Sequence, residues 1–300
     1  MSEPKVSIVI VNWNNLSDTT ECLESLKQIN YSNYNIVMVD NGSDGDDAKF
    51  LKERFSDYIR LIANDRNYGF AEGCNIGIRD AIDCGAEYIV LLNNDTIVDP
   101  DFLSEVVKAA HSDRRIGIAG GKIYSYEIPK MIWFAGGKIN YWTGKTLLRG
   151  SGKIDNGQFD ESTEVNWICG CFMLISTDLL QKVGMLDKRL FFGWEDVDLC
   201  IRAYKEGFKI IFVPDSKIWH KTAPSDKKER LMGLPIYYAA RGQFICMEKH
   251  FTKPQLISSS LYYFFMFPIS IWNYSRILGH WRVIIYILRG FWGFLRMKFR

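Results

Sequence analysis

The sequence predicts an α/β fold with a mainly parallel central sheet flanked by helices, and three observations predict it. Short β-branched runs with little polar alternation, such as VSIVIV at 6–11, read as strands buried on both faces. Segments with apolar residues at three- and four-residue spacing lie between those runs and read as helices. Strand and helix alternate along the chain, the pattern of a doubly wound, nucleotide-binding layout.

Taken in order, the strand-like runs fall at 6–11, 36–40, 59–62, 88–92 and 116–120. A helix is expected over 17–28, with Ser17 and Asp18 as N-caps, and others over 70–83 and 101–112. From 136 to 166 the pattern weakens into Gly- and aromatic-rich sequence, which reads as an irregular insertion over the ligand-binding edge. A strand-like NWICGCFMLIS follows, then a helix beginning at Glu195 and Asp196, and another running to His250. No repeats or low-complexity linkers interrupt this, and two parts are expected, 1–250 and 251–300.

Three hundred residues with 47% hydrophobic content suffice for a full α/β core. The seven cysteines are odd in number and lack CxxC spacing, so neither a disulfide framework nor a zinc ribbon is indicated and a reducing cytosol suits them. The opening MSEPKV enters an apolar strand at once, so no signal peptide is expected.

The net charge of +2 hides an asymmetry, because residues 249–300 hold eight Lys and Arg and no acid. Within that stretch, 255–275 is uncharged but diluted by Ser, Tyr, Asn273 and Pro268. Arg282, Arg289 and Arg296 then recur every seven residues, with Arg300 one turn later, against Trp281, Ile284, Ile285, Leu288, Trp292 and Leu295. Such a helix is expected to lie in an anionic membrane surface as part of an interfacial hairpin; burial in a homodimer is the alternative. The density of Trp, Phe and Ile argues against nucleic acid as its partner.

Three segments carry the chemistry. LLNNDTIVDP (91–100) is an apolar strand ending in Asn93, Asn94 and Asp95, which delivers a carboxylate to the edge where open α/β sheets bind ligands. FFGWEDVDLC (191–200) puts Glu195 and Asp196 at a helix start, pointing about 100° apart. IWHKTAPS (218–225) supplies His220, an imidazole able to complete an oxygen-rich metal site. Asp40 ends a second strand in VDNGSDGD (39–46), and NYGFAEGCNIGI (67–78) carries Asn67, Gly69, Gly73 and Asn75 into a helix N-terminus suited to a diphosphate or to anchoring a base. No GxGxxG occurs, which disfavours a dinucleotide oxidoreductase.

With GCFMLI (170–175) and YYAARGQFICMEKHF (237–251), these segments in this order resemble the inverting nucleotide-sugar glycosyltransferases of family 2, in particular a rhamnosyltransferase-like subgroup that extends surface polysaccharides. The resemblance implies a GT-A fold and covers roughly residues 6–251. It implies Asp196 as general base, with Glu195 binding acceptor hydroxyls or holding the loop and Asp198 turned towards structural partners. Asp95 stands in the family's Asp-x-Asp metal motif, with Asn93 replacing the first acid; with His220 it is implied to bind Mg²⁺ or Mn²⁺. Val11, Asn12, Asp40, Asn41, Asn67, Gly73, Asn75, Asn93 and Asn94 are implied to hold the dTDP- or UDP-sugar donor, Asp40 by accepting from the pyrimidine N3–H. Trp194, Cys169 and Gly170 fall at the acceptor side. Arg241 is left between a phosphate contact and a buried ion pair. The implied reaction transfers L-rhamnose from dTDP-rhamnose to a saccharide or polyprenyl-diphosphate-linked acceptor on the cytoplasmic membrane face. A UDP-galactofuranose transferase and a catalytically silent sugar-nucleotide-binding scaffold are the alternatives.

Overall fold

The computed structural model describes residues 3–221, 233–278 and 282–298. Its centre is a ten-stranded mixed sheet. The first half is a parallel run built from β1 (Val6–Asn12), β2 (Tyr34–Asp40), β3 (Ile59–Ala63) and β4 (Tyr88–Asn93), with order β3-β2-β1-β4. The chain moves outward from β1 to β3 and then returns to β1's other side, so β1 and β4 flank a topological switch point. The crevice beyond the C-terminal strand ends at such a point is where α/β sheets bind ligands. Register brings Asn12 opposite Asp40 and Val11 opposite Asn93 there.

Helices α1 (Leu16–Leu26), α2 (Asp47–Phe55), α3 (Phe70–Asp83) and α4 (Phe102–Ser112) cover the sheet. The α1 N-cap is Asn15 rather than Ser17 or Asp18, and it makes no side-chain cap. Asp18 instead lies in the first turn and pairs with Lys221 at 3.0 Å. α3 approaches β1 closely because Gly73 and Gly77 face it. A β-carbon at Gly77 would lie 2.4 Å from Val9 Cγ1, and one at Gly73 3.1 Å from Val11 Cγ1.

Beyond β4 the sheet turns mixed. β5 (Thr96–Val98), β6 (Ile116–Ser125), β7 (Ile132–Phe134) and β10 (Thr163–Glu164) precede β11 (Phe172–Ser176), which enters antiparallel between β4 and β6. β8 (Gly137–Asn140) and β9 (Lys145–Leu148) form a separate hairpin, giving order to the segment expected to be irregular. After α5 (Thr177–Val183) and α6 (Glu195–Lys205), β12 (Lys209–His220) runs parallel to β6 and antiparallel to β5. A register shift between Val213 and Lys217 accommodates Pro214, which cannot donate to the ladder. Pairing of His220 with Thr96 then sets the imidazole beside Asp95.

The C-terminal part is helical: α7 (Gly233–His250), α8 (Lys253–Leu278) and α9 (Arg282–Lys298). Among the described residues no helix is long and apolar enough to cross a membrane. α9 lies on α7 through Gly290 and Gly293, whose added β-carbons would meet Ala240 and Tyr237. Contrary to the sequence pattern, Ile285, Leu288 and Trp292 share the exposed side with Arg289 and Arg296 instead of opposing them. Phe264 and Phe265 of α8 are exposed as well, Phe264 at 73%. Trp281, Arg300 and Thr222–Ser225 of the quoted motifs lie outside the described residues, as do the side chains of Arg282, Ile284 and Leu295.

Candidate active site

The edge expected to hold the donor is organised around Asn12, which is fully buried. Its amide donates to Asp40 Oδ1 at 2.8 Å, Asp47 Oδ2 at 3.0 Å and Ser43 Oγ at 3.3 Å. Its carbonyl oxygen accepts from Thr19 Oγ1 and from Asn94 Nδ2. Asp40 is 3% exposed and also accepts from the Ser43 hydroxyl at 2.7 Å and the Ser43 amide at 3.1 Å. Three of its roughly four lone-pair sites are therefore engaged, leaving about one for a ligand donor.

Other residues expected to touch the donor spend their polar groups on the fold. Asn41 donates to Asn67 Oδ1 and the Gly69 carbonyl, and accepts from Asn64 Nδ2 and the Tyr68 amide. Asn75 donates to the Leu186 carbonyl and Glu72, and accepts from the Leu186 amide. Asn67 is tied to Asn41 and to the Gly69 amide. Asn41 and Asn67 shape the loop at 64–70 and Asn75 ties α3 to Leu186, because a buried amide needs its hydrogen bonds satisfied whatever else it does.

Gly69 within that loop has φ +87°, and a β-carbon there would meet the Phe191 ring at 2.5 Å and the Phe191 carbonyl at 2.7 Å. The Phe70 amide donates to that same carbonyl at 2.7 Å, so the 64–70 loop and the 191–196 loop are locked together. Gly69→Ala should cost at least about 1–3 kcal/mol through left-handed strain and overpacking, measured by urea unfolding.

Asp95 and His220 meet at the end of β5 and β12. Asp95 Oδ1 lies 3.2 Å from His220 Nε2, yet the pair lacks hydrogen-bond geometry and Oδ1 is buried without a partner. Asn93 Oδ1 and His220 Nδ1 are buried and unpartnered too. Orphaned buried acceptors are rare, and a bound cation is one common way for a protein to satisfy them. Adjacent corners of an octahedron with ~2.1 Å bonds lie about 3 Å apart, so the 3.2 Å separation of Asp95 Oδ1 and His220 Nε2 fits a hard divalent cation. Among the described residues no cluster of three or more metal-type ligands exists.

The third component is the start of α6. Gly193 and Trp194 both have positive φ, and Trp194 at 75° is one of only two such non-glycine residues in the described structure. This turn swings Glu195 and Asp196 into the first turn of α6, where the helix N-terminus favours anions. Asp196 Oδ2 accepts from the Gly170 amide at 2.9 Å and Oδ1 from the Val197 amide at 2.7 Å. Burial pushes the Asp196 carboxyl up, while those amides oppose the shift. Burial, then the neighbouring Asp196 charge, pushes Glu195 well above the usual carboxylate range, and its Oε2 is unpartnered.

A carboxyl raised in the folded state favours the protonated form there. The stability Glu195 contributes is therefore complete below the ordinary carboxylate range and is lost as pH climbs through the raised value. Glu195→Gln should flatten that decline; urea midpoints from acid to mildly alkaline pH would show it, with a residual slope from Asp196.

The turn Cys169-Gly170-Cys171 joins the two halves. The Cys171 carbonyl accepts from the Asn93 amide at 2.9 Å, while the Gly170 amide serves Asp196. The Cys171 thiol feels the charges of both Asp95 and Asp196. Burial drives both thiols well above their ordinary value, so neither is a nucleophile at neutral pH. Trp194 and Phe192 flank the acids, Phe192 being 46% exposed with its ring edge-on to Phe70. Lys221 is a participant that sequence reasoning missed: its ammonium bridges Asp18 and Glu21, and its amide donates to the Asp95 carbonyl. Its position directly after His220 is the one signal in the sequence that points to it.

A cleft of about 540 Å³ lies elsewhere, lined by Lys122, Tyr124, Trp219 and Asp155. Tyr124 pairs with Trp219, and strand alternation puts this face opposite His220. Lys122 is paired with both Asp155 and Asp160, which clamps the loop that carries them.

Residues 4–232 match the family described as Glycosyltransferase like family 2. The chain is 27% identical over 261 residues to the dTDP-rhamnosyl transferase RfbF of Shigella flexneri, covering 83% of this chain and 82% of that protein. It is 24% identical to the low-salt glycan biosynthesis hexosyltransferase Agl10 of Haloferax volcanii, over 83% and 77% of the two chains. A solved structure of GalNAc-T7 with UDP, GalNAc and Mn²⁺ has a TM-score of 0.63 at 20% identity. That match covers 74% of this chain but only 44% of the GalNAc-T7 chain. Residues 1–349 of Staphylococcus aureus TarS in complex with UDP give 0.58 at 15% identity, over 91% and 75%. The sheet order, its crevice and these matches establish a GT-A fold, and the chain belongs to glycosyltransferase family 2, whose members it joins as a nucleotide-sugar-dependent glycosyltransferase.

Proposed function

We propose that this enzyme is a metal-dependent inverting transferase that moves L-rhamnose from dTDP-rhamnose to a saccharide, carried on a polyprenyl diphosphate, at an anionic membrane surface. The observation that carries the mechanism is the Cys169–Cys171 turn, which bonds Asn93, two residues before the Asp95 that lies beside His220, on one side and Asp196 on the other. Asp95 and His220 would hold Mg²⁺ or Mn²⁺, which neutralises charge on the departing nucleoside diphosphate. Asp196 takes the proton of the acceptor hydroxyl as its oxygen attacks C1 from the side opposite the diphosphate. With both thiols held neutral, no protein nucleophile intervenes, and one displacement inverts the anomeric centre. Glu195, kept largely protonated, adds no second negative charge beside the base.

The rhamnosyl choice is supported by the name of the Shigella relative. The membrane choice is supported by the exposed apolar residues of α8 and α9 beside Arg289 and Arg296, each Arg adding about 1 kcal/mol of attraction to an anionic leaflet. The test is nucleotide release from dTDP-rhamnose, UDP-galactofuranose, UDP-glucose and UDP-N-acetylglucosamine, with lipid extract as acceptor and with or without EDTA. Release confined to dTDP-rhamnose and suppressed by EDTA supports the reading. Release from another donor alone overturns the sugar, and no release from any donor favours the scaffold.

A further inference from the structure

The helix that presents Asp196 is fastened by a second carboxylate two residues on. Asp198 is fully buried and accepts from Arg202 Nε at 2.8 Å, from His250 Nε2 at 2.7 Å and from Lys249 Nζ at 2.8 Å. Burial pushes its carboxyl up, but the three donors outweigh burial and hold it at about 2. His250 Nε2 meets Asp198 and its Nδ1 faces Lys205 Nζ at 3.2 Å, so the ring spans a carboxylate and an ammonium. Arg202 continues inward to the carbonyls of Val183, Gly184 and Met185. Lys249 continues to Asp187, which also holds Arg189.

Two of the three donors come from the C-terminal end of α7, and the rest of α7 follows the catalytic loop along its length. Arg241 donates to the Arg189 carbonyl at 2.6 Å. Tyr238 stacks on Phe191 with ring centroids 4.3 Å apart. A β-carbon at Gly242 would lie 2.7 Å from the Gly193 carbonyl and 3.4 Å from Trp194 Cβ, so only glycine lets α7 seat against the left-handed turn.

The strained Gly193–Trp194 turn does not hold itself, because positive φ at Trp persists only where surroundings over-determine it. α7 supplies those surroundings. We propose that Asp198 and His250 are positioning residues for the base: their buried hydrogen bond, with Lys249, fixes α6 against α7 and so aims the Asp196 carboxylate at the acceptor. A carboxylate buried among fixed donors suits this task, since rotation of α6 would strip it of partners in a place water does not reach. This rests on the reading of Asp196 as the general base.

The test compares His250→Leu, which removes the donor, with His250→Gln, which keeps an N–H, using the donor that the wild-type enzyme turns over. His250→Leu should lower kcat about ten- to a hundredfold, the cost expected of an ångström-scale misplacement. The donor KM should stay within about twofold, and His250→Gln should recover most of the loss. Lys249→Met, partly exposed and gentler on the fold, should show a smaller loss of the same kind. Equal kcat in His250→Leu and wild type, or a loss that follows the unfolded fraction and that His250→Gln does not repair, would overturn the proposal. Amide exchange of the 189–198 segment is read in parallel. It should quicken in His250→Leu and stay unchanged in Asp196→Asn, whose carbonyl keeps an acceptor. Unchanged exchange in His250→Leu overturns the positioning role by itself, whereas a fully active Asp196→Asn overturns only the base assignment.

Discussion

Asp196→Asn should lower kcat by ~10²–10⁴-fold, the usual share of a general base, while nucleotide binding persists. The substitution keeps the shape, and one amide oxygen can still accept from Gly170 or Val197, so the first turn of α6 has reason to stay in place. What it loses is the ability to take a proton. The pH profile gives the sharper reading. Because burial raises the Asp196 carboxyl, and the base works only when ionised, kcat/KM should climb on the acid side around a value above the ordinary carboxylate range. That limb belongs to the coupled pair with Glu195, since two adjacent buried acids do not ionise independently. Glu195 is already neutral where Asp196 ionises, so Glu195→Gln should leave the acid limb in place and change the profile only on its alkaline side. If Asp196→Asn keeps a tenth or more of the activity and the acid limb survives, the base lies elsewhere.

The legibility of this site in sequence divides by the range of the interactions. Strands 6–12, 34–40 and 88–93 announce themselves because a strand buried on both faces must be apolar throughout, and their polar C-terminal residues Asn12, Asp40 and Asn93 stand out against that background. α2 does not, because only Leu51 and Phe55 of it are buried, too few for a helical period. The short strands of two to four residues between 132 and 164 have no pattern of their own and exist by pairing with β6, β12 and each other. Asn41 and Asn75 look like ligand contacts because composition cannot tell an amide aimed outward from one spent on Leu186 across 111 residues. The Asp198–His250 bond spans 52 residues and leaves no trace except a carboxylate expected to face structural partners. The left-handed Trp194 is unreadable in principle, as nothing in its side chain asks for positive φ.

Asp95→Asn should abolish the stabilisation that Mn²⁺ with a nucleoside diphosphate gives the folded protein, and with it transfer activity. Asp95 Oδ1 is buried beside His220 with no hydrogen bond, and where no cation serves it this costs about 1–3 kcal/mol for a neutral group and more for a charged one. Removing the charge relieves that cost, so in EDTA the variant should unfold at the same urea concentration as wild type or at a higher one. Adding Mn²⁺ and UDP or dTDP at about a hundredfold over Kd should then stabilise wild type by about 2.7 kcal/mol and leave the variant unmoved. The opposite signs of the two effects separate a ligand from a structural acid. A carboxylate that merely supported the fold would destabilise in EDTA when neutralised, and would leave the metal-dependent shift intact. His220→Ala should repeat the loss of the shift. The double variant should lose no more than either alone, because two ligands of one ion act as a unit. A full Mn²⁺-dependent shift in Asp95→Asn would place the cation away from β5 and β12, and the unpaired acceptors of Asn93 and Asp95 would then need a different partner.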